Sequence, residues 1–468
     1  MSRPRAVSIL LPLMLGGGAI GVGVSNFLGG SAYASLFIMS AIVLSISCWL
    51  MQHAVGVFRL RYMSIPGFWY LSYLAMIFIP SFFVFFGDEV DVSRYTYLFA
   101  VQSVVITVPF GILFINILLK FRVIELKEYY EHPLQEQYIS PHLFAVCLMG
   151  LLGAWGVMLM YVLEVRTLPL LYMLRNPGDY ETLVLLREDA FKLLDSKFVY
   201  IYSLLRIPGF PFLIMLTFGY YLVTRRRRWL YLFLSLLGSG VLFAGFDIEK
   251  GPVAAIVLLI FFFSYLYWGG RIRKRTYIVG SLLVMLFPFM VEKITGYGMD
   301  VDAGAILGGL LKRLYYGPAL VLYWYFELFP GTVGYLYGRS IGKLAWIMGS
   351  EHFDTANYVG LHGLHSRIDS VHANAAFIGN LNADFGIVGV VLGGIAAGII
   401  MQIVQIYLLR RPKTISNLVA YAYCMYAFWL LHSTALPVVL ASNGVLLALC
   451  FPGIMHALAS FLRGTLKA

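Results

Sequence analysis

Apolar runs long enough to cross a bilayer recur along this chain from its first residues to its last, and no other feature restricts its fold as strongly. A hydrocarbon core about 30 Å thick takes roughly 17–25 apolar residues per helix. Runs of that kind lie near 7–27, 31–52, 67–86, 96–119, 141–163, 198–223, 229–246, 251–268, 276–291, 385–408, 416–436 and 440–461, which predicts about twelve transmembrane helices. The sequence lacks the alternating ten-residue segments of a barrel, and lipid does not tolerate unpaired backbone, so the spans are expected to be helical. Of the 468 residues 60% are apolar and 12% charged, with a mean hydropathy of +0.82, so the bilayer is the main solvent. The expectation is an all-α integral membrane protein, a single polytopic domain over 1–468. Arg3 and Arg5 precede the first run as in a signal peptide, but the run is long and lacks a small-residue cleavage site, so it reads as a retained helix.

Charge sets the orientation. With the N-terminus in the cytoplasm, one face collects Arg3, Arg5, Arg59, Arg61, Lys120, Arg122, Lys127, Arg225 to Arg228, Arg271, Arg273, Lys274, Arg275, Arg410, Arg411, Lys413, Arg463 and Lys467, all in short loops or tails. The acids joining them are Glu125, Glu128, Glu131 and Glu136. The net charge of +11 is therefore a topology signal; no basic groove with interleaved aromatics speaks for nucleic acid. Cys48, Cys147, Cys424 and Cys450 fall inside apolar spans and read as small core residues rather than a disulfide or thiolate framework.

Two connections are long, 164–197 and 292–384, both on the extracytoplasmic side of this topology, and long loops in a compact chain usually carry function. The stretch 313–329, RLYYGPALVLYWYFELF, is apolar and aromatic but broken by Gly317 and Pro318. Counting it as a span would put Arg410, Arg411 and Lys413 outside, so it is expected to be an interfacial or re-entrant helix. The same side carries Arg206, Lys250, Lys312, Arg313, Arg339 and Arg367 near the membrane surface, a set suited to a phosphorylated lipid headgroup. Arg206 lies inside the sixth span, beside Pro208, Gly209 and Pro211; it reads either as a snorkelling or ion-paired residue or as a ligand for an anion. Lys250 reads as an interface anchor or a phosphate contact. His352, His362, His365 and His372 lack a helical pair at i, i+4 and a completing carboxylate pair, so no metal site is expected. Matched repeats with paired interrupted helices, expected of a transporter, are not visible.

Three segments carry a family resemblance: EKGPVAAIVLLIFF at 249–262, KRLYYGPALVLYWYFE at 312–327 and VHANAAFIGNLNADFGIVGVV at 371–391. With the two long loops, the chain resembles the Wzy-type O-antigen polymerases. The last segment is also similar to the loop motif of O-antigen ligases, although Ala373 separates His372 from Asn374, and Arg339 precedes Gly349 at one residue less than the family's arginine-to-glycine spacing. The resemblance implies a GT-C-like membrane glycosyltransferase in a bacterial inner membrane, with periplasmic loops 164–197 and 292–384 and no requirement for metal, nucleotide sugar or other cofactor. It would move a growing glycan from undecaprenyl diphosphate to a hydroxyl of the next lipid-linked oligosaccharide repeat, among membrane lipids and alongside a chain-length regulator.

In that scheme Arg206, Lys250 and Arg313 would clamp the departing diphosphate, with Lys312 and Arg339 in support. His372 would be the base or orient the acceptor, and Asn374 would hold the loop or a sugar hydroxyl. Asp247 and Glu249 stand as alternative bases. Tyr315 and Tyr316, with Tyr323, Trp324 and Tyr325, would either stack on sugars or form an interfacial belt. A ligase acting on a lipid A-core acceptor and a polysaccharide flippase remain the other readings.

Overall fold

A computed structural model of the chain describes residues 31–87, 92–135, 141–165, 167–176, 196–246, 250–271, 311–364 and 373–465, with isolated positions at 179, 182–183, 185–186, 304 and 308–309. Among the described residues the regular structure is entirely helical, and eight helices are long and apolar enough to cross a membrane: Leu36–Ala54, Ile65–Phe85, Ser93–Leu118, His142–Glu164, Lys197–Thr224, Arg227–Gly245, Phe377–Leu409 and Leu436–Phe461. The chain is a helical, multi-pass membrane protein. Gly251–Tyr267 is apolar but shorter, and the expected spans at 7–27 and 276–291 lie outside the described residues. The expected span at 416–436 is built as the helix Ile415–Trp429 followed by a 3-10 turn, Leu430–His432.

Proline shapes these helices locally. Three π-turns interrupt the described helices, at Leu74–Phe78, Leu205–Gly209 and Lys312–Tyr316, and each is followed two residues on by Pro80, Pro211 or Pro318. A proline ring clashes with the carbonyl four residues back and brings no N–H, and a locally widened turn relieves both defects. Pro109 lies within the helix Val92–Leu118 and so leaves the Val105 carbonyl without its helical donor; the Ser47 hydroxyl donates to that oxygen instead.

The chain divides into two compact units. The first comprises Met1–Tyr129, Leu314–Leu409 and Trp429–Pro437. Its centre is the seam between Val92–Leu118 and Phe377–Leu409. There the helices meet backbone to backbone: an added Cβ would lie 2.2 Å from the Ile395 carbonyl oxygen at Gly111 and 2.2 Å from the Val108 carbonyl oxygen at Gly398. Gly394 and Gly398 form the small-xxx-small spacing that permits such approach in lipid. Polar side chains reinforce the seam. Gln402 Nε2 donates to Asn116 Oδ1, Asn116 Nδ2 to the Ala54 carbonyl (2.8 Å), and the Ile65 N–H to Gln405 Oε1 (2.8 Å). His432, fully buried, pairs with the Ser72 hydroxyl at 2.7 Å and stacks on Trp69.

The second unit comprises Tyr130–Arg313, Arg410–Phe428 and Val438–Ala468. Aromatic stacking dominates its core: Phe212 lies 4.4 Å from both Tyr423 and Phe451, and Tyr202 4.5 Å from both Tyr161 and Phe243, measured between ring centroids. Lys413, expected simply as one of the cytoplasmic basic residues, is buried, and its Nζ donates to the carbonyls of Tyr130 and His132, both at 3.0 Å. Burial pushes its pKa down to about 8. The unfolded chain, with an ordinary lysine near 10.4, binds more protons than the native state between those values, so native stability rises with pH across that window and is flat below it. The thermal midpoint of the detergent-solubilised protein is therefore expected to rise from pH 8 to pH 10 relative to Lys413→Met; parallel pH curves for the two proteins would refute the assignment.

Candidate functional site

The segment 373–391 is tied into the first unit by several hydrogen bonds. The Ala373 N–H donates to the Ala356 carbonyl (3.0 Å), Tyr325 Oη to the Ala373 carbonyl (3.1 Å), Asn380 Nδ2 to Thr355 Oγ1 (3.0 Å) and Asn382 Nδ2 to the Phe329 carbonyl (3.2 Å). These bonds tie the end of the aromatic helix Gly317–Leu328 and the short helix Thr355–His362 to one strip of chain. At Gly386 the long helix Phe377–Leu409 leaves helical geometry, with φ 65° and ψ −157°. Only glycine suits the position, because a Cβ would also stand 2.8 Å from the Tyr335 hydroxyl oxygen.

Just before that break, Asp384 is buried and clamps the turn at 336–340. Its Oδ1 accepts from the N–H groups of Gly338 (3.0 Å) and Ser340 (3.2 Å), and its Oδ2 from the Ser340 hydroxyl. Tyr337 and Gly338 have positive φ, 52° and 93°, and the turn they make brings the N–H groups of Gly338 and Ser340 to one anion. The Leu336 and Tyr337 N–H groups bond in turn to the carbonyls of Ala383 and Asp384. The effect is to fix Arg339, which is exposed. Its Nε donates to the Glu351 carbonyl (3.3 Å), and its own carbonyl accepts the Phe353 N–H (2.9 Å) and faces His352 Nδ1 (3.0 Å).

Within the same unit Asn374 is exposed, Tyr315 is 45% exposed and Tyr316 half-buried, so these polar groups are presented rather than packed away. The aromatic helix itself packs into the unit: Tyr97 Oη donates to the Ala319 carbonyl (3.0 Å), and Ala319, Leu322, Tyr323, Tyr325, Phe326 and Leu328 are buried. Of the five aromatics expected to face sugars or the interface, Tyr323 and Tyr325 are thus core residues.

Arg206, Lys250, Lys312 and Arg313 belong to the second unit. Arg206 is buried, at 8% exposure, inside the π-turn Leu205–Gly209 of the long helix Lys197–Thr224. Nine residues separate it from Lys197, roughly 14 Å of helix at 1.5 Å per residue. Its guanidinium carbon lies 5.9 Å from the centre of the Tyr202 ring, which itself stacks on Tyr161 and meets Phe243 at a tilt. Lys312 and Arg313 are exposed on the π-turn Lys312–Tyr316. Lys250 begins the helix Lys250–Tyr267. In the 164–197 connection Asp179 accepts from Tyr172 Oη (2.6 Å) and the Thr182 N–H (3.2 Å); the tyrosine bond holds the Asp179 carboxyl below its ordinary value and raises the Tyr172 phenol. His372, Arg367, His365, Asp247 and Glu249 lie outside the described residues. Among the described residues no group of three or more His, Cys, Asp or Glu side chains is placed to hold a metal ion.

No family model, no curated protein and no solved structure matches this chain. Two functional candidates escaped the sequence reading, Asp384 and Glu327. Each had a signal, an acid inside or at the end of a strongly apolar run (NADFGIVG and YWYFELF), where charge is expensive unless it has work to do.

Proposed function

We propose that this chain is a membrane glycosyltransferase of GT-C type that polymerises lipid-linked oligosaccharide repeats on the outer face of a bacterial inner membrane. The observation that carries the reading is Arg206, a guanidinium buried roughly one-third of the way along a 28-residue apolar helix, at a turn widened by proline. Burying such a charge in a membrane helix costs several kcal/mol, and cations are kept there when they meet an anion. The diphosphate leaving group of a lipid-linked sugar is an anion that such a guanidinium would bind. As the bond between the sugar's anomeric carbon and the diphosphate oxygen breaks, an acceptor hydroxyl forms the new glycosidic bond and gives its proton to a base. Arg206, Lys250 and Arg313 would stabilise the charge growing on the leaving oxygen, with Lys312 and Arg339 in support. His372 is the proposed base, with Asp247 and Glu249 as alternatives, and Asn374, Tyr315 and Tyr316 would contact the glycan.

The twelve-span topology, both termini cytoplasmic and loops 164–197 and 292–384 periplasmic, belongs to the same proposal and rests on the basic-residue bias. Undecaprenyl-diphosphate-linked oligosaccharide is the substrate and a chain-length regulator the expected partner. Deleting the gene is expected to leave lipopolysaccharide carrying a single repeat on a gel. Loss of all capped lipopolysaccharide would instead indicate a ligase, and retention of lipid-linked repeats in the cytoplasmic leaflet a flippase.

A further inference from the structure

Where the helix Val92–Leu118 meets Gly317–Leu328, two hydroxyls converge on one carboxylate oxygen. Ser93 Oγ and Tyr323 Oη (2.9 Å) both donate to Glu327 Oε2, and the two hydroxyl oxygens lie 3.3 Å apart. All hydrogen bonds to this carboxylate from the described residues land on Oε2. Glu327 is half-buried, so the opposite oxygen is held in a fixed direction at the edge of the aromatic helix. The Arg94 guanidinium lies over the Tyr323 ring, 5.4 Å from its centre, and donates to the Gly87 carbonyl. The rings of Tyr97 and Trp324 flank Tyr323 at 5.8 and 5.5 Å.

A tie between two helices does not need a charge here. Tyr97 already joins them through the Ala319 carbonyl, and a neutral amide would accept the same hydroxyl donors without the desolvation a carboxylate suffers. An oriented carboxylate oxygen amid aromatic rings suits a neutral ligand rich in hydroxyl donors. We propose that Glu327, oriented by Ser93 and Tyr323, is a glycan-binding residue that accepts a hydrogen bond from a sugar hydroxyl of the lipid-linked repeat. This rests on the polymerase reading and adds to it a recognition site for the sugar, separate from the cations proposed for the diphosphate.

Binding to the purified full chain distinguishes the two. The probes are the native lipid-linked repeat, extracted from cells lacking this protein, and undecaprenyl diphosphate without sugar. The parent is expected to prefer the sugar-bearing lipid. Glu327→Gln should reduce that preference about tenfold, the order expected for a hydrogen bond to a charged group, while leaving affinity for the sugar-free lipid and the thermal midpoint unchanged. Ser93→Ala, which keeps the charge but loosens its aim, should reduce the preference about threefold. A Glu327→Gln protein that keeps the parental preference, whether or not its melting temperature falls, overturns the site and makes Glu327 a helix tie. A parent without any preference for the sugar-bearing lipid overturns the polymerase reading as well.

Discussion

Gly398→Leu is expected to abolish recovery of folded protein. The Cβ alone would stand 2.2 Å from the Val108 carbonyl oxygen and 3.0 Å from its carbon, and these are backbone atoms of the opposing helix that no rotamer change can move. The same collision arises from the other side, where a Cβ at Gly111 would meet the Ile395 carbonyl oxygen at 2.2 Å. Relief requires the two helices to separate. Separation would also break the Gln402–Asn116 bond, which depends on the same close approach. Overpacking costs about 1–3 kcal/mol even where side chains can adjust, and more where they cannot, against a total stability of about 5–15 kcal/mol. Size-exclusion chromatography in mild detergent reads the outcome: Gly398→Leu should elute as aggregate, and Gly398→Ala should melt well below the parent. A Gly398→Leu protein that elutes and melts like the parent would refute the seam.

The second large effect is catalytic. Arg206→Lys and Arg206→Ala are both expected to lower polymer formation at matched expression by about a hundredfold or more, the scale seen when one fixed donor to a developing oxyanion is removed. Lysine preserves the charge, but its ammonium is a point donor that cannot reproduce the planar, paired geometry of guanidinium. The competing reading makes Arg206 a packing cation on Tyr202, 5.9 Å from the ring centre. In that case Arg206→Lys would lower the melting temperature and leave turnover per folded molecule untouched. Full-length polymer made at the parental rate by a well-expressed Arg206→Ala variant would remove the residue from the mechanism.

How much of this was legible beforehand follows from which interactions are local. Runs such as 96–119 and 385–408 mark spans because a helix satisfies its own backbone within one segment, and the corresponding helices are Ser93–Leu118 and Phe377–Leu409. Pro208, Pro211 and Pro318 were visible as helix disturbances, but a proline announces a defect without saying whether the chain kinks or widens into a π-turn. Asp384 and Glu327 could be seen only as acids in apolar company. Their partners, Ser340 at 44 residues and Ser93 at 234 residues, are too distant in sequence for any spacing rule to link. The aromatic run at 313–329 misled in part: Tyr323 and Tyr325 looked like presented rings, yet the helix turns them toward Tyr97 and Ala373. A similar limit applies to Lys413, whose place in a basic loop gave no hint that two carbonyls from 130 and 132 enclose its amine.

Incubating the purified protein with lipid-linked repeats, with no nucleotide sugar and no other enzyme, tests the central proposal most directly. The expected result is a ladder of lipid-linked oligomers growing one repeat at a time, with one undecaprenyl diphosphate released for each glycosidic bond formed. Repeats that stay single with no undecaprenyl diphosphate released, while a lipid A-core acceptor becomes glycosylated or the lipid merely changes leaflet, would contradict it.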